Sequence, residues 1–141
     1  MKRNLRANVR EVFGGIMSES ELNIVIEFED EFHLDVVLDR VLAPLIIEEI
    51  KFRLPMQGRA AFLRGEMKIT LGIRKGNVKS TKQVQRGNVA YMPLGDSLCI
   101  YAEDMKTFSP VNVLGQVASP DSFLDDMKEV RRGSQVTIRS R

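Results

Sequence analysis

The stretch RGNVAYMPLGDSLCIY, residues 86–101, decides how the rest of the chain is read. Two short apolar runs, Val89-Ala90-Tyr91-Met92 and Leu98-Cys99-Ile100-Tyr101, flank Pro93-Leu94-Gly95-Asp96. Short apolar runs bounded by turn formers predict two strands and a chain that reverses on itself. That reversal is either a plain hairpin or a binding loop.

Upstream, Leu22, Ile24, Ile26 and Phe28 alternate with Asn23, Val25, Glu27 and Glu29, and Phe32, Leu34, Val36 and Leu38 repeat the pattern after Asp30-Glu31. Period two, twice, predicts a second hairpin over 22–39. Pro44 fits the first turn of a helix, where its missing N–H costs nothing, and Pro55 stops it, which predicts a helix over 44–54. A connection over 58–65 follows, then a half-buried strand over 66–73 and a polar, basic excursion over 76–86.

Downstream, a strand over 111–117 is interrupted by Gly115. Ser119-Pro120-Asp121 opens a second helix with Ser119 as its capping hydroxyl and Phe123, Leu124, Met127 and Val130 as its apolar stripe. Arg131-Arg132 suit that helix's negative end, Gly133 is its left-handed stop, and Val136-Thr137-Ile138 is a last strand. Six to eight short strands with two short helices and no βαβ alternation predict a mainly antiparallel sheet, closed or nearly so, with helices over its open ends.

The 141 residues fit one domain with a self-sufficient core. A single cysteine, Cys99, excludes an internal disulfide, and with a single histidine, His33, it leaves no zinc-type ligand set. No apolar run approaches the ~20 residues of a membrane span, and the basic start MKRNLRANVR leads into no apolar signal core. A soluble, cytoplasmic protein without membrane attachment is the expectation.

The net charge of +2 is near balance but unevenly laid out. The first turns are basic, Glu27 to Glu31 is acidic, and Arg74, Lys75, Lys79, Lys82 and Arg86 form a second basic run with no acid among them. Solvated faces explain these runs better than a nucleic-acid surface, which would add stacking aromatics. Residues 1–17 read as a basic, flexible segment or as sequence ahead of the true start, because Met17 directly precedes the domain, taken as 18–141.

Several catalytic motifs fail on spacing. In Gly72-Ile-Arg-Lys-Gly76-Asn-Val-Lys79-Ser80 two residues separate the second glycine from the lysine, so the loop cannot wrap a phosphate as a P-loop does. Ser97 lies outside any G-x-S-x-G elbow, and Cys99 sits in an apolar strand with no histidine nearby in sequence, as a packed thiol does. His33 falls on the polar phase of its strand and reads as a surface residue.

From Gly87 onward the chain resembles the C-terminal half of a cyclophilin. The segment G-x-V-A-Y-x-P-x-G-x-x-L-C-I-Y and the strand P-V-N-V-L-G are similar to those of small archaeal and bacterial cyclophilin-like proteins, and the likeness extends over about 20–141. It implies an eight-stranded antiparallel β-barrel closed by two helices, with no cofactor. Prolyl isomerases of the family need an apolar pocket and a donor that draws the proline nitrogen out of conjugation. Where cyclophilins carry F-H-R this chain has Phe62-Leu63-Arg64; it lacks the later Q-G-G, and Phe108-Ser109-Pro110 stands where a histidine would be.

The resemblance therefore implies a non-catalytic or weakly active binding module for a small molecule or peptide segment. Arg64 is its polar anchor, and Glu66, Tyr91, Met92 and Phe108 are further ligand-binding candidates, with Tyr91 and Met92 equally readable as core. The alternative is a working prolyl isomerase with Arg64 as catalytic donor. Nucleic-acid binding through 74–86 is the weakest of the three, no metal site is implied, and the oligomeric state stays open.

Overall fold

The computed structural model describes residues 20–141; the basic segment 1–17 expected from the sequence lies outside the described residues. Nine strands form one antiparallel system: β1 (Glu21–Phe28), β2 (Phe32–Asp39), β3 (Met56–Leu63), β4 (Glu66–Thr70), β5 (Thr81–Val84), β6 (Asn88–Met92), β7 (Ser97–Tyr101), β8 (Met105–Val117) and β9 (Ser134–Ser140). Helix α1 (Pro44–Arg53) follows β2, and α2 (Ser122–Asp126), continued by a 3-10 turn over Met127–Glu129, precedes β9.

The strand order β2-β1-β9-β3-β4-β7-β6-β8 returns to its start through a β2–β8 pairing, so eight strands form a closed, barrel-like ring. Closure removes every edge except that of β5, which pairs with β8 outside the ring. The alternation predicted over 22–39 is the β1–β2 hairpin, in register from Glu21 opposite Asp39 to Phe28 opposite Phe32. Its inward residues Ile24, Ile26, Leu34 and Leu38 are buried and meet Met67, Ile69, Leu98 and Ile100 from the far side of the ring.

Both helices add to this core, through Ile46, Ile47 and Ile50 from α1 and Leu124 and Met127 from α2 and its continuation. Phe32, at the start of β2, meets the Phe123 ring at 5.9 Å, whereas α1 begins just past the end of β2. An eight-residue strand spans about 26 Å, so the two helices lie at opposite ends of β2.

The seam depends on Gly115. It pairs with Leu38, and a Cβ there would fall 1.9 Å from the Val37 carbonyl oxygen. Gly115 therefore does not interrupt its strand. β8 runs unbroken over thirteen residues, and the irregularity is a bulge opposite Val89 and Ala90 that leaves Leu114 without a partner in β6.

Other elements depart from the sequence reading for identifiable reasons. The expected connection over 58–65 is mostly β3, whose small residues Gly58, Ala60 and Ala61 conceal any period of two; Gly58 lets the Thr70 carbonyl approach to where a Cβ would be 2.8 Å away. The strand expected over 66–73 ends at Thr70, and the excursion over 76–86 contains β5.

Ser119 does not cap α2: its hydroxyl accepts the Asp35 amide at 2.8 Å and ties the loop to β2. Nor does Gly133 stop that helix, which has already run into extended backbone at Val130. Gly133, at φ 85°, instead serves the turn into β9.

A second, smaller apolar cluster lies on the outer face of the ring. Ala90 and Met92 from β6, Cys99 and Tyr101 from β7, and Val84 and Val111 are buried together. The ribbon formed by β5 and the first half of β8 covers them. No helix among the described residues is long and apolar enough to cross a membrane.

Candidate functional site

A groove of about 600 Å³ runs along the outer face of the ring between the β3–β4 turn and the β5–β8 ribbon. Its floor carries Glu66 and Lys68, the outward residues of β4, and Arg64 stands at one side. Leu63 pairs with Glu66, and the two residues between them, Arg64 (φ 53°) and Gly65 (φ 80°), are both left-handed, as a tight two-residue hairpin turn requires. That turn lifts the Arg64 guanidinium clear of the strands. A side chain at position 65 would strike Glu103 and Met105, whose atoms lie within 2.9 Å of where its Cβ would be.

The opposite wall is built by an irregularity in β8. Thr81 pairs with Val111 and Gln83 with Lys106, so residues 107–110 have one residue of β5 facing them. The excess bulges outward, the Thr107 hydroxyl braces it by donating to the Ser109 carbonyl at 2.8 Å, and Phe108 is left 82% exposed. Leu63 is 65% exposed across from it.

Three of the five candidates named from sequence, Arg64, Glu66 and Phe108, line this one groove. Tyr91 and Met92 do not: both are fully buried, Tyr91 inside the ring and Met92 in the outer cluster beneath the ribbon. The remaining walls come from residues the sequence reading did not single out, chiefly Leu63, Met105, Lys106 and Arg132. They lie up to 69 positions apart and converge only through strand order, so no local motif announced them.

Electrostatics distinguish the groove from its surroundings. Glu66 faces Lys68 at 3.6 Å. Beneath them, burial pushes the Tyr101 phenol up, with Cys99 and Glu66 adding to the effect. Its hydroxyl makes no hydrogen bond among the described residues; Glu66 and Cys99 oppose its ionisation without meeting it in bonding geometry. Burial, reinforced by the Glu66 charge, pushes the Cys99 thiol up to about 12, which keeps it protonated at neutral pH and unsuited to nucleophilic attack. Among the described residues no group of His, Cys, Asp and Glu is placed to hold a metal.

The basic run 74–86 is pinned down along the backbone. Asp96 Oδ1 accepts the Ile73 and Arg74 amides, and Asn112 Oδ1 accepts those of Val78 and Lys79. Two of its cations are engaged, Lys75 with Glu49 and Arg86 with Asp121 and Asp125. Arg86 also donates to the Asp121 and Ala102 carbonyls, which makes it a clasp joining the segment before β6 to the end of β7 and the start of α2.

Among solved structures, the hypothetical protein AF2241 from Archaeoglobus fulgidus superposes with a TM-score of 0.71 at 23% identity, covering 86% of this chain and 96% of that one. McbB in complex with tryptophan superposes with a TM-score of 0.67 at 16% identity over 84% of this chain, which spans 44% of McbB. At these identities the likeness is one of fold. No curated protein matches the chain in sequence. The family model for cyclophilin-like proteins matches residues 21–139, nearly the whole of the closed ring and both helices, and on that match the chain belongs to the cyclophilin-like family.

Proposed function

We propose that the protein is a binding module whose groove takes a small molecule or a short peptide segment, with Arg64 as the polar anchor and Leu63, Met105 and Phe108 as the apolar wall. One observation carries this reading: two largely exposed apolar side chains, Leu63 and Phe108, face each other across a concavity that also holds an arginine with no ion-pair partner among the described residues. Apolar surface left open beside an uncompensated charge is a feature of recognition sites. The complex of McbB with tryptophan supports a small amphipathic ligand as a class that this fold accommodates.

A second reading, prolyl isomerisation, is favoured by Arg64 lining the same groove as Phe62 and Met105, the donor and apolar surface that the reaction needs. Amide NMR spectra of the labelled full chain, titrated with indole and with short X-Pro peptides, test the first reading. Shifts confined to residues 61–68, 103–108 and the turn at Arg132 are expected, and no shift there with any probe would sink it. A protease-coupled isomerisation assay on the wild type and Arg64→Asn, a residue that tolerates the left-handed backbone, tests the second. Acceleration lost in the variant supports catalysis, and its absence in the wild type leaves the binding module.

A further inference from the structure

The groove carries an imbalance of charge. Four cations, Arg64, Lys68, Lys106 and Arg132, line it with two carboxylates, Glu66 and Glu103. Lys68 is taken by Glu66, and the Glu103 side chain lies against Gly65. Arg64, Lys106 and Arg132 form no ion pair with any described residue. Of the arginines elsewhere, Arg40 pairs with Glu48, Arg53 with Glu49 and Arg139 with Glu27, at 2.6–3.0 Å, whereas Arg59 and Arg74 stand apart from one another without an ion pair among the described residues. Three uncommitted cations thus converge on the one concavity that also exposes Leu63 and Phe108.

We infer that the ligand of this groove is a small carboxylic acid with an apolar body, its carboxylate drawn to Arg64 and Arg132 and its body laid between Leu63 and Phe108. The inference deepens the binding-module reading and rests on it. A guanidinium presents a planar pair of donors that matches a carboxylate, and like charges gathered in a concavity focus their field on an entering anion. Glu66 and Glu103 repel an extended polyanion along the same floor, which favours a compact anionic head over a nucleic-acid backbone. Among the described residues no helix N-terminus borders the groove to supply the backbone donors that phosphate sites commonly use.

The test compares phenylpropionate with phenylpropionamide, which share a body and differ in charge, by amide and arginine side-chain NMR on the full chain. The acid is expected to bind at least about tenfold more tightly, with shifts at Arg64, Arg132 and Phe108 and weakening at higher salt. Arg132→Gln, in a turn outside the strands, and Arg64→Gln should each bring the acid towards the affinity of the amide, weakening the acid several-fold more than the amide.

Equal binding of acid and amide in the groove overturns the inference and leaves the binding module standing. So does tighter binding of benzyl phosphate than of the acid. If neither the acid nor the amide shifts the groove while indole does, the ligand class is wrong; if no probe shifts it, the binding reading falls too.

Discussion

The Tyr91 hydroxyl donates a hydrogen bond to Asp96 Oδ1, and the same phenol accepts the Lys75 amide at 3.1 Å. Asp96 Oδ1 accepts two further amides, those of Ile73 at 3.2 Å and Arg74 at 3.0 Å. A tyrosine rooted in the core and an aspartate in the β6–β7 turn therefore fasten a segment that has no regular structure of its own. Tyr91→Phe should lower the free energy of unfolding by about 1–2 kcal/mol and Asp96→Ala by roughly 2–3 kcal/mol. In urea denaturation the double variant should cost less than the sum of the two; strict additivity would mean that the residues do not act as a pair.

Tyr101 predicts the opposite sign. Its hydroxyl is buried without a hydrogen bond among the described residues, so Tyr101→Phe removes an uncompensated polar group and keeps the ring. The variant should gain about 1 kcal/mol. A loss of comparable size in the same denaturation experiment would show that the hydroxyl is satisfied in solution.

Alkaline pH should unfold the protein in a defined window. Burial pushes Cys99 from 9.0 up to about 12 and Tyr91 from 10.0 up to about 12, with the Asp96 hydrogen bond adding to the latter. In both, the folded chain favours the protonated form. Stability is therefore full below about 9.0 and falls as the pH rises to about 12, by up to about 1.4 kcal/mol per pH unit for each group titrating, and Tyr101, raised further by burial, continues the fall at still higher pH. Tyrosinate absorbance should lag far behind that of the unfolded chain until cooperative unfolding releases it, and Cys99→Ala should flatten the early part of the decline. A native-state titration of both tyrosines near 10.0 would contradict the burial described for them.

The seam supplies a steric prediction. Gly115→Ala places a methyl group where the Val37 carbonyl oxygen already is, and it should cost about 3 kcal/mol or more. Gly133→Ala is the contrast: no atom lies within 4 Å of its Cβ position, so only the left-handed backbone resists, by about 1–2 kcal/mol. Thermal melts of the two variants side by side separate close approach from backbone strain.

Legibility in the sequence followed how many faces of a strand are covered. The β1–β2 hairpin was readable because outward positions such as Asn23, Glu27 and His33 reach solvent and mark the period. Tyr91 and Met92 were not readable as wall or core, because a neighbouring pair on a strand with one wet face must divide between inside and outside. Here the outside is covered as well, by a ribbon whose strand β5, Thr-Lys-Gln-Val, buries only Val84 and so carried no signal. Arg64, Glu66 and Phe108 were reached residue by residue through a family likeness. Lys106 and Arg132 belong to the groove only because β8 and the turn before β9 pass beside β4, which is a property of topology and not of any short stretch.

β8 has two duties that nothing separates. Its last residues lock the ring against β2, its first residues form the groove wall that presents Phe108, and thirteen residues of continuous strand join the two. Two bulges, at 107–110 and at Leu114, interrupt its pairing on the way from the wall to the lock. The groove is thus built from the same segment of chain that closes the ring, and no change in the length of β8 can alter one without shifting the register of the other.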